Sequence, residues 1–305
     1  MTAMLKKAAA DTDTDYFASK ERQFAQAIVS GDQESAEQVT GELISAQQTL
    51  GDLYLKVFSP ALVNVGELWC RGDVGVGEEK LATQIVIGQM DRLRACYAVR
   101  EARSPYRVLV ACVEGELHCL GARMIADLCL SRGWKVDFLG PNVPNDALLD
   151  LITRRQPQVL ALSITMAGGL AKARDLIEMV ERLAPSVRII IGGQAIARDV
   201  RSASFGRQCE IGRDAVDGVS TIGKLLRADH PSAVLKEYQM ILARRVRDLR
   251  TQKGWTQEQL AETTGVTRVC IVAVEGGKQN VSMDILIRIS NALGVVPEML
   301  LSVDG

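Results

Sequence analysis

The chain has 305 residues, and its 36 Lys and Arg almost balance its 37 Asp and Glu, leaving a net charge of −1. Because compact domains average about 150 residues, this length predicts two or three domains. Apolar residues make up 47% of the chain and charged residues 24%, a globular composition that excludes a disordered or collagen-like protein. The two histidines, His118 and His230, are too few for a zinc site or a proton relay built from several histidines.

The sequence predicts no membrane segment. The longest uncharged stretch near the middle, residues 156–171, contains proline and glycine and is shorter than the roughly 18 apolar residues that a spanning helix needs. No apolar signal core follows the lysines near the N-terminus. The seven cysteines form no C-x-x-C pair, which favours reduced structural thiols. We therefore expect a cytoplasmic protein.

The first predicted domain, residues 1–103, is an all-α bundle. From about residue 14 to 102, apolar residues recur at spacings of three and four, as Leu50, Leu53 and Val57 do. This is the period of amphipathic helices. Ser59-Pro60 and the Gly72 region interrupt the pattern. Four or five helices of this length predict a four-helix type of bundle.

The second predicted domain, residues 104–230, is an α/β Rossmann-like (flavodoxin-like) domain. Beyond Ser104-Pro105, short β-branched runs alternate with helical stretches. Apolar strands that alternate with helices indicate a parallel sheet covered on both faces. The predicted strands are 107–113, 135–139, 158–164 and 187–191, and the predicted helices are 120–132, 146–155 and 171–183.

The third predicted domain, residues 231–305, is all-α. Thr256 with Gln259 forms a capping box, and Ser282 begins a later helix in the same manner. The pattern predicts five short helices, at 235–253, 256–263, 267–275, 282–293 and 297–301.

The loop after the first predicted strand carries a histidine beside a carboxylate. Ligands of open parallel sheets sit outside the carboxyl ends of the strands, which is where Glu116 and His118 fall. Glu116 is placed to accept a hydrogen bond from the imidazole and fix its tautomer. Gly121 opens the next helix, where a side chain would obstruct a ligand. One His with one carboxylate is too little for zinc but suits a metal already held by a macrocycle.

Two further loops belong to the same predicted edge. The third strand ends in Ser163 and Thr165, whose hydroxyls can bond a ligand tail, and the fourth ends in Gly192-Gly193. Together with the Glu-x-His-x-x-Gly loop, this set resembles the cobalamin-binding domain family. The resemblance implies that His118 is the lower cobalt ligand and that the other two loops line a slot for the dimethylbenzimidazole tail. Glu116 replaces the Asp usual in enzymes of the family, as in its regulatory members. The alternative is a flavodoxin-like sheet whose loop histidine caps a helix.

The bundle carries a second matching segment. Nine residues separate Trp69 from Glu79, and this spacing resembles that of cobalamin-dependent photoreceptor regulators. The resemblance implies that the bundle covers the upper corrin face with Trp69 and Glu79 near the upper ligand, and that adenosylcobalamin is the cofactor. Cys70 and Lys80 stand where the photoreceptors have histidines. Cys70 is then either a candidate upper cobalt ligand or a thiol packed within the bundle. A linear tetrapyrrole held through Cys70 or Cys96 is an alternative chromophore.

Residues 247–278 resemble the Cro and phage-repressor (XRE) helix-turn-helix family. Thr267 opens the implied recognition helix, and the resemblance implies phosphate contacts from Gln257, Arg268, Lys278 and Asn280. Basic residues are also concentrated on the helix predicted at residues 235–253. They form either a surface that faces DNA phosphates or an ordinary solvated surface. The outward positions of the recognition helix offer few groups that could hydrogen-bond base edges. Those positions are Val269, Cys270, Val272 and Ala273. Recognition of the DNA sequence would then rest on thymine methyl groups and groove shape. Alternatively, the domain is degenerate and docks a protein partner.

The combined features predict a transcription regulator rather than an enzyme. We expect the cofactor state, set by light, to control a homo-oligomer, dimer or tetramer, that binds a double-stranded DNA operator. The alternatives are a corrinoid methyl carrier of a methyltransferase system, and a light-independent cobalamin, redox or bilin sensor.

Overall fold

The computed structural model describes residues 2–99, 106–198, 205–206, 209–229 and 231–302. The chain divides into two compact units, Met1–Leu226 and Arg227–Gly305. The predicted boundary at 103/104 and His230, the last residue of the second predicted domain, lie outside the described residues. The predicted helical, α/β and helical order of domains is confirmed.

The N-terminal part of the first unit is a bundle. Asp32 and Thr49 cap helices by accepting backbone N–H bonds, and Gly72, with φ of +80°, ends another helix. At the predicted break before Pro60 the chain stays helical through a π-turn, in which the Ser59 N–H bonds to the Tyr54 carbonyl. The helices are α1 Thr2–Ser30, α2 Gln33–Ser45, α3 Leu50–Leu53, the π-turn Tyr54–Phe58, α4 Ser59–Arg71 and α5 Val76–Tyr97.

The rest of the first unit is a five-stranded parallel sheet with helices between its strands. The strand order is β2-β1-β3-β4-β5, and Val108 of β1 pairs with Val136 of β2 and Val159 of β3. The chain leaves β1 and β3 in opposite directions across the sheet, so their loops flank a switch point. The elements are β1 Arg107–Cys112, α6 Leu120–Ser131, β2 Lys135–Phe138, α7 Asn145–Arg155, β3 Val159–Ser163, a 3-10 turn Ala167–Gly169, α8 Leu170–Leu183, β4 Arg188–Gly192, α9 Gln194–Arg198, β5 Cys209–Ile211 and α10 Ala215–Asp229.

The second unit is a compact helical domain. Thr256 and Gln259 form the predicted capping box, and Gly265, with φ of +67°, makes the turn before the next helix. Leu260, Ile271 and Ile289 are buried in a shared apolar core. The helices are α11 Pro231–Gln252, α12 Gln257–Thr264, α13 Arg268–Glu275, α14 Met283–Leu293 and α15 Pro297–Leu301.

Candidate functional site

His118 stands at the carboxyl edge of the sheet, held from one side only. Its Nδ1 lies 2.6 Å from Oε1 of Glu116, and its backbone N–H donates to the same oxygen at 2.9 Å. The Glu116 side chain is 1% exposed, whereas that of His118 is 62% exposed. The carboxylate therefore anchors the imidazole while the ring's other nitrogen, Nε2, is available for a metal.

Glu116 joins two loops of the sheet. Its Oε2 accepts the backbone N–H groups of Thr165 and Met166, both at 2.8 Å. Burial acts to raise the pKa of Glu116, but hydrogen bonds from His118, Met166 and Thr165 outweigh it and lower that pKa. An ionised Glu116 accepts a proton-bearing Nδ1, which leaves a lone pair on Nε2.

The glycines of the site have two different roles. A Cβ built on Gly121 meets nothing within 4 Å, so open space faces the first turn of α6. A Cβ on Gly193 would lie 2.4 Å from the Ile164 carbonyl oxygen, and one on Gly192 would lie 3.1 Å from that of Gly212. Gly192 and Gly193 therefore let protein backbone segments approach each other, whereas Gly121 keeps space open for a ligand.

The β3 loop contributes a hydroxyl and apolar surface. Ser163, which carries the hydroxyl, is buried at the end of β3. Leu117 and Met166, beside His118 and Thr165, are exposed although large and apolar. The sequence analysis did not identify Leu117 and Met166. The feature that could have pointed to them is a large apolar residue in a loop beside polar site residues.

These residues fit a macrocycle-held metal. Among the described residues, no three His, Cys, Asp or Glu side chains come together to hold a bare ion. One imidazole with a free nitrogen, open space at Gly121 and exposed apolar side chains suit a large, flat, partly apolar ligand that brings its own equatorial donors. Burial raises the pKa of the nearby Cys112 thiol to about 12, so Cys112 stays protonated.

The bundle residues predicted for the upper face lie on α4 and α5. Trp69 is 49% exposed and Cys70 is exposed, both near the end of α4. Glu79, in the first turn of α5, accepts a bond from the Thr83 hydroxyl at 3.1 Å and lies 3.2 Å from the Lys80 ammonium. In the described part of the chain, no hydrogen bond joins these side chains to the sheet loops.

A buried polar cluster that sequence reasoning missed connects the bundle to α6. The Tyr54 hydroxyl donates to Asp127 Oδ2 at 2.8 Å, and Arg94 Nε donates to Asp127 Oδ1 at 2.5 Å. Arg123 pairs with Asp91 of α5 at 2.5 Å. Burial and the nearby Asp127 raise the pKa of Tyr54, so its hydroxyl remains a donor. The helix that follows His118 is thus bonded to both the π-turn and α5.

In the second unit, several polar residues bond within the domain. The Glu275 carboxylate, 1% exposed, accepts Arg250 Nε at 2.6 Å and Gln257 Nε2 at 2.8 Å. Arg250 is therefore a structural residue, not part of a phosphate-facing basic surface. Burial acts to raise the pKa of Glu275, but its bonds to Arg250 and Gln257 outweigh that effect and lower it.

The other predicted DNA-contacting residues lie at the ends of the recognition helix α13 and beyond it. The Thr267 hydroxyl caps α13 by accepting the Cys270 N–H at 3.3 Å. Arg268 pairs with Glu258 at 3.4 Å, and Asn280 accepts a bond from Gln239 at 2.6 Å. Lys278 and Asn280 are exposed after α13.

Family comparisons agree with this geometry. A family model described as B12 binding domain matches residues 106–216, and a second with the same description matches residues 20–94. A helix-turn-helix model matches residues 246–300. The chain is built from B12 binding domains and a helix-turn-helix domain. Cobalamin is therefore the cofactor of the first unit, as predicted, and no helix in the described residues is long and apolar enough to cross a membrane.

The individual relatives include corrinoid proteins and a transcriptional repressor. The chain is 24% identical to the trimethylamine corrinoid protein of Methanosarcina barkeri over 57% of its own length and 82% of that protein. It is 30% identical to the HTH-type transcriptional repressor CarA of Myxococcus xanthus over 43% of its length and 44% of that repressor. The solved monomethylamine corrinoid protein of Methanosarcina barkeri covers 66% of this chain and 96% of its own, with a TM-score of 0.58 and 17% identity, which shows the shared fold.

Proposed function

We propose that this protein is a light-responsive, cobalamin-dependent transcription regulator in which the cofactor state controls oligomerisation and DNA binding. The observation that carries the proposal is the anchored imidazole of His118 in the same chain as a helix-turn-helix domain. The similarity to an HTH-type transcriptional repressor supports the regulatory interpretation.

The residues of the first unit divide the binding of the cofactor between them. His118 would hold cobalt from below through Nε2, fixed by Glu116. The hydroxyls of Ser163 and Thr165 would bond the nucleotide tail. Adenosylcobalamin supplies, when bound, a cobalt–carbon bond that light breaks. Trp69, Cys70 and Glu79 would surround the upper ligand, and the remaining tail-slot residues would be Gly192 and Gly193.

The buried cluster on α6 offers a route for a change at the cofactor to reach the bundle. Asp127 is bonded to the π-turn through Tyr54 and to α5 through Arg94. A movement of α6 therefore strains bonds to two bundle elements, and α5 carries Glu79 at its start. The bundle would in turn alter the oligomer that presents paired helix-turn-helix domains.

The test uses the purified full chain reconstituted with adenosylcobalamin in darkness. Duplexes are selected from a random pool by the dark and by the illuminated protein, and affinity, absorbance and oligomeric mass are compared before and after green light. We expect the spectrum and mass to change and DNA affinity to shift about tenfold, within the usual range of allosteric coupling. Identical spectra and identical DNA binding in both states would contradict the proposal.

Two controls separate the parts of the proposal. His118→Ala should change the absorbance of the bound cofactor, because the lower ligand is lost; an unchanged spectrum would show that another group ligates cobalt. A difference between apo and holo protein measured wholly in darkness, without any effect of light, would mean a cobalamin sensor that does not respond to light.

The second candidate function is a corrinoid methyl carrier. The similarity to the trimethylamine corrinoid protein favours it, since that match covers most of the relative's length. A carrier has no evident use for the helix-turn-helix domain at residues 246–300. Incubation of the reduced holoprotein with methylamines and a corrinoid methyltransferase would discriminate: methylation of the bound cofactor together with no selected duplex would favour the carrier.

A further inference from the structure

The outward face of α13 is apolar. Val269 is 78% exposed and Val272 is 46% exposed. They are three residues apart and so lie on neighbouring positions of one helix face. The opposite face, with Ile271 and Val274, is buried in the core of the domain. Neighbouring exposed apolar side chains are one feature of interaction surfaces.

The polar side chains around α13 are engaged within the domain. Gln257 donates to buried Glu275, Arg268 pairs with Glu258, and Asn280 accepts a bond from Gln239. The Thr267 hydroxyl oxygen is occupied by the Cys270 N–H. Between Arg268 and the end of α13, the exposed side chains are those of Val269 and Val272, which present methyl groups rather than hydrogen-bonding groups, and the Cys270 thiol is only partly exposed.

We infer that Val269 and Val272 read the C5-methyl groups of thymines, so that the operator carries A·T base pairs at the positions facing these two residues. This inference rests on the proposed function. In the major groove only thymine presents a methyl group, and apolar side chains recognise it by contact. Two residues three apart on a helix are separated by about 4.5 Å along its axis, close to the rise of about 3.4 Å between adjacent base pairs.

Charge and position favour DNA over a protein as the occupant of this face. Arg268, which lies 3.4 Å from the exposed Glu258 carboxylate, stands at the N-terminal end of α13, and Lys278 lies just beyond its C-terminal end, so one cation flanks the apolar face at each end. Cations at both ends suit the two phosphate backbones that border a groove. The helix-turn-helix match spans the whole of this surface.

The test removes the methyl group from the DNA. The full holoprotein selects duplexes from a random pool, and each conserved thymine is then replaced singly by deoxyuridine, which lacks only the C5-methyl. At the two positions facing α13 we expect affinity to fall about fourfold per methyl, the equivalent of one buried methylene. Replacement at other positions should have little effect.

Variants tie the effect to the two valines. Val269→Ala should abolish the preference for thymine over uracil at one position while retaining it at the other. Val296→Ala is the matched control, since Val296 is an exposed valine in the same unit outside α13; it should leave both preferences unchanged. Circular dichroism melts confirm that each variant is folded.

The outcomes separate the thymine inference from the proposed function. Selected duplexes with conserved G·C pairs opposite α13, or uracil tolerated at every position, would overturn the thymine inference and leave the proposed function standing. A failure to select any duplex in apo, dark or illuminated protein would overturn both, and would leave the apolar face of α13 as a protein-docking surface.

Discussion

Glu116 has its hydrogen-bonding capacity filled. A carboxylate offers about four lone-pair sites, and Glu116 accepts four N–H groups, two from His118 and one each from Thr165 and Met166. The side chain thus joins the histidine loop to the β3 loop as well as orienting the imidazole. A shorter Asp would have to reach the same donors with one methylene fewer, so the β3 loop contact depends on the length of Glu.

Glu116→Gln should weaken cobalamin binding. In either orientation the amide NH₂ group would face N–H donors, those of Thr165 and Met166 or those of His118, and two donors cannot bond each other. We expect affinity to fall about 10- to 100-fold, the usual effect of losing a partner of a metal ligand, measured by absorbance titration. Glu114→Gln is the control, because Glu114 pairs with Lys172 at the loop's edge. Equal affinities for the two variants would argue against the anchoring role.

Among the elements, α6 connects the cofactor loop to the bundle. It begins directly after the histidine loop, and its Asp127 is buried against Tyr54 and Arg94. Buried polar groups are costly unless fully bonded, so this cluster restricts how the bundle and the sheet pack. We therefore propose α6 as the element that couples a change at the cofactor to the bundle.

Tyr54→Phe should destabilise the first unit and reduce its response to the cofactor. Removing the hydroxyl leaves a buried Asp127 oxygen without its closest partner, at a cost of about 1–3 kcal/mol in the free energy of unfolding. Tyr97→Phe is the matched control, since the Tyr97 hydroxyl donates to the Gln48 carbonyl within the bundle. Denaturant melts measure the stability, and the change in oligomeric mass on illumination measures the response. A response as large in Tyr54→Phe as in Tyr97→Phe would show that the cluster is purely structural.

Local patterns predicted the elements well, and long-range contacts account for what they missed. The strand predicted at residues 187–191 is observed as Arg188–Gly192, because a local run of β-branched residues is enough to indicate a buried strand. The edge strand Cys209–Ile211 was missed, since a segment of three residues is too short to show a periodic pattern of apolar residues. Asp127 bonds Tyr54 across 73 positions, so nothing near it in sequence signals its role. The hydrogen bond between His118 and Glu116 was predictable because the two residues are only two positions apart.

At the scale of the whole molecule, each of the two units has its own core. Glu275 is the main buried charged residue among the described residues of the second unit. It bonds Arg250 and Gln257 and its pKa lies below the ordinary value of 4.5. A carboxylate with a lowered pKa in the folded state stabilises that state above the unfolded value, and this stabilisation is lost as the pH falls through the lowered value. Acid below about pH 4.5 therefore weakens the helix-turn-helix unit.

Cofactor and charge should act on different unfolding transitions of the full chain. Cobalamin at 100 times its dissociation constant should stabilise the first unit by about 2.7 kcal/mol, because it binds only the folded state. Glu275→Gln should destabilise the second unit by about 3 kcal/mol, since it leaves the nearly buried Arg250 without a counter-charge. Scanning calorimetry of the holoprotein, the apoprotein and the variant would then show one transition moving with cofactor and another with the substitution. A single transition that responded equally to both changes would show that the two units unfold as one and would contradict this prediction.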